Sequence, residues 1–180
     1  MMDFSYYPNI AALADMLGGE KRTSFNKKKH IKAEESWKRL GPDELSYINA
    51  AAPTAVRILD CYVTPYYILH MDMRAFFVRP VRDLVWMYTS VLTNRMNFIP
   101  YNKTHNLFIV DREGELHTLG TKSTGGFSKK TPCDDAMRQM LQIIAPQRKG
   151  LLIGWSDQLS TAVRSNLASV VQSVDANSAQ

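Results

Sequence analysis

Apolar and polar positions alternate with two different periods along this chain, and the change from one to the other falls near Thr54. From Pro8 to Leu17, Ile10, Leu13, Met16 and Leu17 fall on one helical face, with Pro8 at the first helical position and Gly18-Gly19 as the stop. Ile31, Glu34, Glu35 and Lys38 keep helical spacing through Phe25 to Leu40, which predicts a second, more polar helix ending at Gly41-Pro42. A third short helix is expected over Pro42 to Asn49. Beyond Thr54 the runs are short and rich in β-branched and aromatic residues: Val56 to Val63, Tyr66 to Leu69, Phe76 to Val78, Val85 to Leu92, Asn106 to Val110 and Leu116 to Thr121. Connections this short allow only antiparallel pairing, because a parallel pair needs a crossover of about a dozen residues. Asp111-Arg112-Glu113-Gly114 reads as a hairpin turn.

Lys122 to Lys130 is polar and glycine-rich and reads as a loop. Thr131-Pro132-Cys133-Asp134 then opens a helix, with a threonine cap, proline at the first position and acids in the first turn. Met137, Met140, Leu141 and Ile144 form its apolar face, and Pro146 ends it. Ser156 caps a last helix through Leu159, Val163, Leu167 and Val170. The expected organisation is α+β: a helical N-terminal segment over 1–53 packing on the core, an antiparallel β domain with C-terminal helices over 54–173, and a disordered tail over 174–180.

Composition narrows the class. Hydrophobic residues make up 45% of the 180 and charged residues 22%, which is globular. The first residues carry an acid where an export signal needs cations, and the most apolar window, Ala50 to Met71, is broken by Pro53, Arg57, Asp60 and Pro65. With Cys61 and Cys133 isolated in the sequence, two free thiols and a cytoplasmic setting are expected.

No constellation of residues announces chemistry. Gly120-Thr121-Lys122-Ser123-Thr124-Gly125-Gly126-Phe127 has glycines at the spacing of a phosphate loop but lacks the Lys and Ser/Thr that must follow the second one. His30, His70, His105 and His117 stand singly, and the last three are expected on the solvent face of a sheet. Asp83 reads as an Asx-type turn residue. Trp86 and Phe108 are expected in the core rather than on a stacking platform with Tyr88, Phe98 and Tyr101, and Met71, Met73, Met87, Met96, Met137 and Met140 are expected to fill the core. No catalytic residue, cofactor or metal is therefore expected.

The charge balance, 22 Lys and Arg against 17 Asp and Glu, is mildly basic. The densest cationic run lies between Glu20 and Arg39, where Lys27, Lys28, Lys29 and Lys32 are the candidate ligand-binding residues for an anionic partner. No aromatic or base-reading side chains interleave them, which favours a solvated helix face.

The order of parts from Tyr62 to Ser156 resembles bacterial pleckstrin-homology-like (PH-like) domains. The resemblance is carried by Tyr62-Val63-Thr64-Pro65, Pro80-Val81-Arg82-Asp83-Leu84-Val85-Trp86-Met87-Tyr88, Leu107-Phe108-Ile109-Val110-Asp111-Arg112-Glu113-Gly114, the helix ending at Pro146, and Gly154-Trp155-Ser156. It implies two small bent antiparallel sheets, a partial barrel closed at one end by a helix, binding proteins or lipids with no shared catalytic residues. The chain departs from that pattern in its helical N-terminal segment and in a second C-terminal helix. The function expected is a non-catalytic binding or scaffolding module, with a protein partner ahead of anionic lipid or nucleic acid.

Overall fold

The computed structural model describes residues 3–179, and the chain divides into two compact units, Met1–Val81 and Arg82–Gln180. The division falls between strands, well past the boundary near residue 53 that the change of period suggested. The reason is that the N-terminal helices share a core with the first four strands.

In the first unit, helices α1 (Pro8–Met16), α2 (Lys27–Lys38) and α3 (Pro42–Ala51) precede a four-stranded antiparallel sheet ordered β1 (Val56–Ile58), β2 (Cys61–Val63), β3 (Tyr67–Asp72) and β4 (Ala75–Pro80). Pro8 and Pro42 begin their helices as the sequence predicts, and Glu44 accepts the backbone N–H of Gly41 at the start of α3. The buried stripe Ile10, Leu13 and Ala14 of α1 joins Trp37 of α2, Ile48 of α3 and Tyr62, Leu69, Phe76 and Val78 of the sheet in one core. Phe4 packs edge-on against Trp37 with centroids 4.8 Å apart, and the indole N–H of Trp37 donates to the Phe76 carbonyl at 2.8 Å. The first apolar run is two strands rather than one. Leu59, with φ of 53°, makes a tight turn between Ile58 and Cys61 that no glycine or proline marks.

The second unit holds β5 (Leu84–Met96), β6 (Ile99–Asp111), β7 (Leu116–Gly125) and the two-residue β8 (Leu152–Ile153), in the order β7-β6-β5-β8. The β5–β6 and β6–β7 pairs are antiparallel, whereas β8 runs parallel to β5 beside Trp86 and Met87. Helix α4 (Pro132–Ile144) lies across β5, β6 and β7, burying Cys133, Ala136, Met140 and Ile144. Thr131 occupies its cap position, but the threonine side chain makes no capping bond.

Two stretches differ from the sequence reading. Lys122 to Gly125 is strand, because it pairs with Asn102 to His105, and a cross-strand partner outweighs weak local propensity. The expected last helix is two, α5 (Asp157–Ser165) and α6 (Leu167–Ser178), capped by the side chains of Ser156 and Asn166. The tail expected to be disordered is thus helical through Ser178. Val174 is buried, and Asp175 pairs with the buried Arg148 at 2.7 Å and with Arg112 at 3.3 Å. Gln180, the last residue of that expected tail, lies outside the described residues, as do Met1 and Met2.

Candidate functional site

The histidines are the first candidates to be corrected. His70, His105 and His117 are buried rather than on a solvent face, as is His30. They are not gathered in one place. His70 stacks on Phe77, His105 meets the Thr124 hydroxyl at 2.9 Å, and His30 meets the Lys21 carbonyl at 3.2 Å. His30 also has the Glu20 carboxylate 3.9 Å from its Nδ1, but His117 sits among two carboxylates: its Nε2 lies 2.8 Å from Asp111, and the donor atoms of Asp111, Glu115 and His117 lie within 4.8 Å of one another. These three could face a cation. The same Asp111 also accepts the backbone N–H groups of Glu113 at 3.0 Å and Glu115 at 2.9 Å, which makes it the clamp of the β6–β7 turn. Gly114 completes that turn with φ of 78°, and a side chain there would meet Leu167.

Asp83 ends a short 3-10 turn and pairs with Arg112 at 3.1 Å, a role beyond the turn residue the sequence suggests. Burial nonetheless pushes its carboxyl above the usual range, with Arg112 opposing the shift. Cys61 and Cys133 are both free and buried, and burial pushes the Cys61 thiol far up. The glycine-rich Gly120 to Phe127 is strand as far as Gly125, with no helix until Pro132.

The four candidate lysines open α2. Lys27, Lys28 and Lys32 are exposed, and Lys29 is half-buried in an ion pair with Asp72 at 2.6 Å. The surrounding charge is partly neutralised, since Glu34 lies 3.7 Å from Arg22 and 4.0 Å from Lys38. Helical spacing turns Lys27 about 100° away from Lys28 and places Glu35 near the same face, so the four do not form a single grip.

A surface that lysine density does not reveal lies at the far end of the second sheet. Beyond Thr89, which bonds to Asp134 of α4, β5 and β6 run on as a ribbon to the two-residue turn Asn97-Phe98. At about 3.4 Å per residue, the segment from Val91 to the turn reaches roughly 20 Å. Its end is apolar and open: Leu92, Met96, Ile99, Tyr101 and Phe127 are more than half exposed, and Phe98 is 94% exposed. Phe127 belongs to this end because the Gly126 N–H donates to the Tyr101 carbonyl at 3.1 Å, and Lys103 reaches the Ser128 carbonyl at 2.9 Å. Both turn residues have positive φ, 49° for Asn97 and 65° for Phe98. Such a turn favours Asn-Gly, so a bulky side chain at the second position is held at a conformational cost. Met73 and Arg74 adopt the same geometry at the β3–β4 turn, but there Asn26 and Gly18 bond to them.

The charge at this end has one sign. No Asp or Glu occurs between Leu84 and Val110 or between Leu116 and Cys133, while Arg95, Lys103, Lys122, Lys129 and Lys130 do. Of the 22 cations and 17 acids, setting those five cations aside leaves seventeen of each sign for the rest of the chain. The whole net charge of +5 therefore resides on the ribbon and the loop that follows β7. Sequence reasoning missed this because the two acid-free runs are brought together only by the β6–β7 pairing.

No described helix is long and apolar enough to cross a membrane. Comparison of the chain with protein-family models, curated proteins and solved structures found no match.

Proposed function

We propose that this chain is a non-catalytic binding module that engages its partner through the distal end of the β5–β6–β7 ribbon. The observation that carries this reading is the coincidence, at one end of one sheet, of exposed apolar side chains, a strained exposed phenylalanine and the whole excess charge. Apolar surface held open against both solvation and backbone preference is the usual mark of an interaction site. The pleckstrin-homology-like reading stands beside it. It is supported by the order of parts: a four-stranded antiparallel sheet, three further antiparallel strands, and a helix across those three.

The test is affinity capture from native extract with the intact chain and with Phe98→Gly, identifying both protein and lipid in the eluate. Material retained by the wild type and lost in the variant fits the reading. Identical eluates would refute it. A second reading places an anionic partner on Lys27, Lys28 and Lys32 at the exposed start of α2. Charge reversal there, rather than at the ribbon, would then abolish binding, and added salt would erase it steeply.

A further inference from the structure

We infer that the occupant of the ribbon end is an anionic lipid bilayer, into whose surface the Asn97-Phe98 turn dips; this rests on the ribbon being the binding surface.

The layering along the ribbon favours this occupant. Phe98 stands at the apex, and Met96 and Ile99, the first cross-strand pair, stand immediately behind it. Arg95 lies in the next row, opposite Pro100. Lys103 pairs with Thr93, three residue steps behind Met96 and so about 10 Å from it. Ser128, whose carbonyl Lys103 holds, precedes Lys129 and Lys130 in the chain. Interfacial elements bury their apolar groups about 5–10 Å deep, at the boundary of headgroups and acyl chains. At that depth for Phe98, Met96 and Ile99, the cations sit level with the lipid phosphates. Tyr101, more than half exposed between the two layers, has the apolar body and polar tip that suit the interface.

Charge decides between a bilayer and a folded protein. A protein partner presents mixed charge, and its recognition surface is normally met by acids as well as cations. Here acids are missing from both runs that build the surface, which matches a surface carrying one sign throughout. A two-residue turn also offers a wedge rather than the broad flat area that a stable protein interface needs.

The experiment uses the full chain and vesicles of phosphatidylcholine alone or with about one third phosphatidylserine, at near-physiological salt. Co-sedimentation should show binding to the anionic vesicles and little to the neutral ones. Phe98→Gly, which suits the turn and so keeps the fold, should lower partitioning at least tenfold. Lys129→Glu with Lys130→Glu should lower it further, since each cation near an anionic surface contributes roughly fivefold. A Phe98→Cys variant labelled with an environment-sensitive dye should shift to the blue on anionic vesicles only, since the two native cysteines are buried. Absence of binding to the phosphatidylserine vesicles, or binding equal in wild type and Phe98→Gly, overturns the inference. If vesicles fail while extract capture still depends on Phe98, the occupant is a protein and only this inference falls. If nothing depends on Phe98, the ribbon itself is not the binding surface.

Discussion

Trp86 ties β8 to the edge of β5, and replacing it isolates how much of the second unit depends on that tie. The indole is 3% exposed, stacks on Trp155 at 5.2 Å, meets the Tyr88 ring at a tilt with centroids 4.3 Å apart, and donates its N–H to the Gly154 carbonyl at 2.6 Å. Gly154 in turn donates its N–H to Met87, so the bond network closes around a two-residue parallel strand. Trp86→Ala empties a large aromatic site and should destabilise the unit by about 3–5 kcal/mol. Trp86→Phe keeps one ring but removes about two buried carbons, worth ~1.6 kcal/mol, and the N–H donor, worth ~1 kcal/mol. Together these predict a loss of about 2–3 kcal/mol. Trp155 is half exposed, so Trp155→Ala should cost only about 1 kcal/mol, with a coupling of about 0.5–1.5 kcal/mol to Trp86 in a double-mutant cycle. Denaturant unfolding followed by far-UV circular dichroism measures the losses, and hydrogen exchange at the Gly154 amide localises them. A Trp86→Phe protein as stable as the wild type, with Gly154 equally protected, would refute the reasoning.

Phe98→Gly should raise stability by up to about 1 kcal/mol, the relief of a left-handed backbone less the entropy of glycine, as read in denaturant melts; a clear loss would mean that Phe98 packs on something. Asp175→Ala should cost about 1–3 kcal/mol, because it leaves Arg148, only 5% exposed, without its carboxylate; loss of helical signal from α6 would accompany it. His117→Ala should cost about 1–3 kcal/mol and loosen the β6–β7 turn, seen as faster exchange at the Glu113 and Glu115 amides. Thiol titration should find Cys61 and Cys133 unreactive in the native protein, where burial holds the Cys61 thiol protonated, and two thiols after denaturation without reductant. Fewer than two would mean an oxidised pair.

The parts legible in the sequence are those whose signals are local. Pro8, Pro42 and Pro132 mark helix starts because proline at the first helical position needs no partner elsewhere, and the Asp111 to Gly114 turn follows from its own four residues. Trp86 is core, as its apolar neighbours suggest. What escaped depends on partners distant in the chain. Lys122 to Gly125 is polar and glycine-bearing, and becomes strand only because Asn102 to His105 lies beside it. Residues 173–178 lack an apolar stripe, yet Arg148 and Arg112 hold Asp175 in a helix. The three strand histidines look exposed by type and are enclosed by what packs over them. Met96, one of the methionines expected in the core, is out in solvent beside Phe98 and Tyr101. Alternation alone cannot report that β5 and β6 outrun the helix that covers them.

The open margins of the ribbon carry a consequence for how the molecule keeps to itself. Among the described residues, β7 is the last strand on one side of its sheet and β5 has β8 beside it only at Trp86 and Met87, so the outer length of β5 is also an open strand edge. Unprotected strands of this kind, next to Phe98 and Ile99, invite a second molecule to zip on and seed aggregates. Lys122 on β7 and Arg95 on β5 sit on those margins, and mutual repulsion between like-charged copies opposes such zippering. Neutralising the ribbon's cations would bring the isoelectric point down from about 9.2 towards neutrality while leaving the sticky margins bare, so colloidal solubility should collapse before folding does.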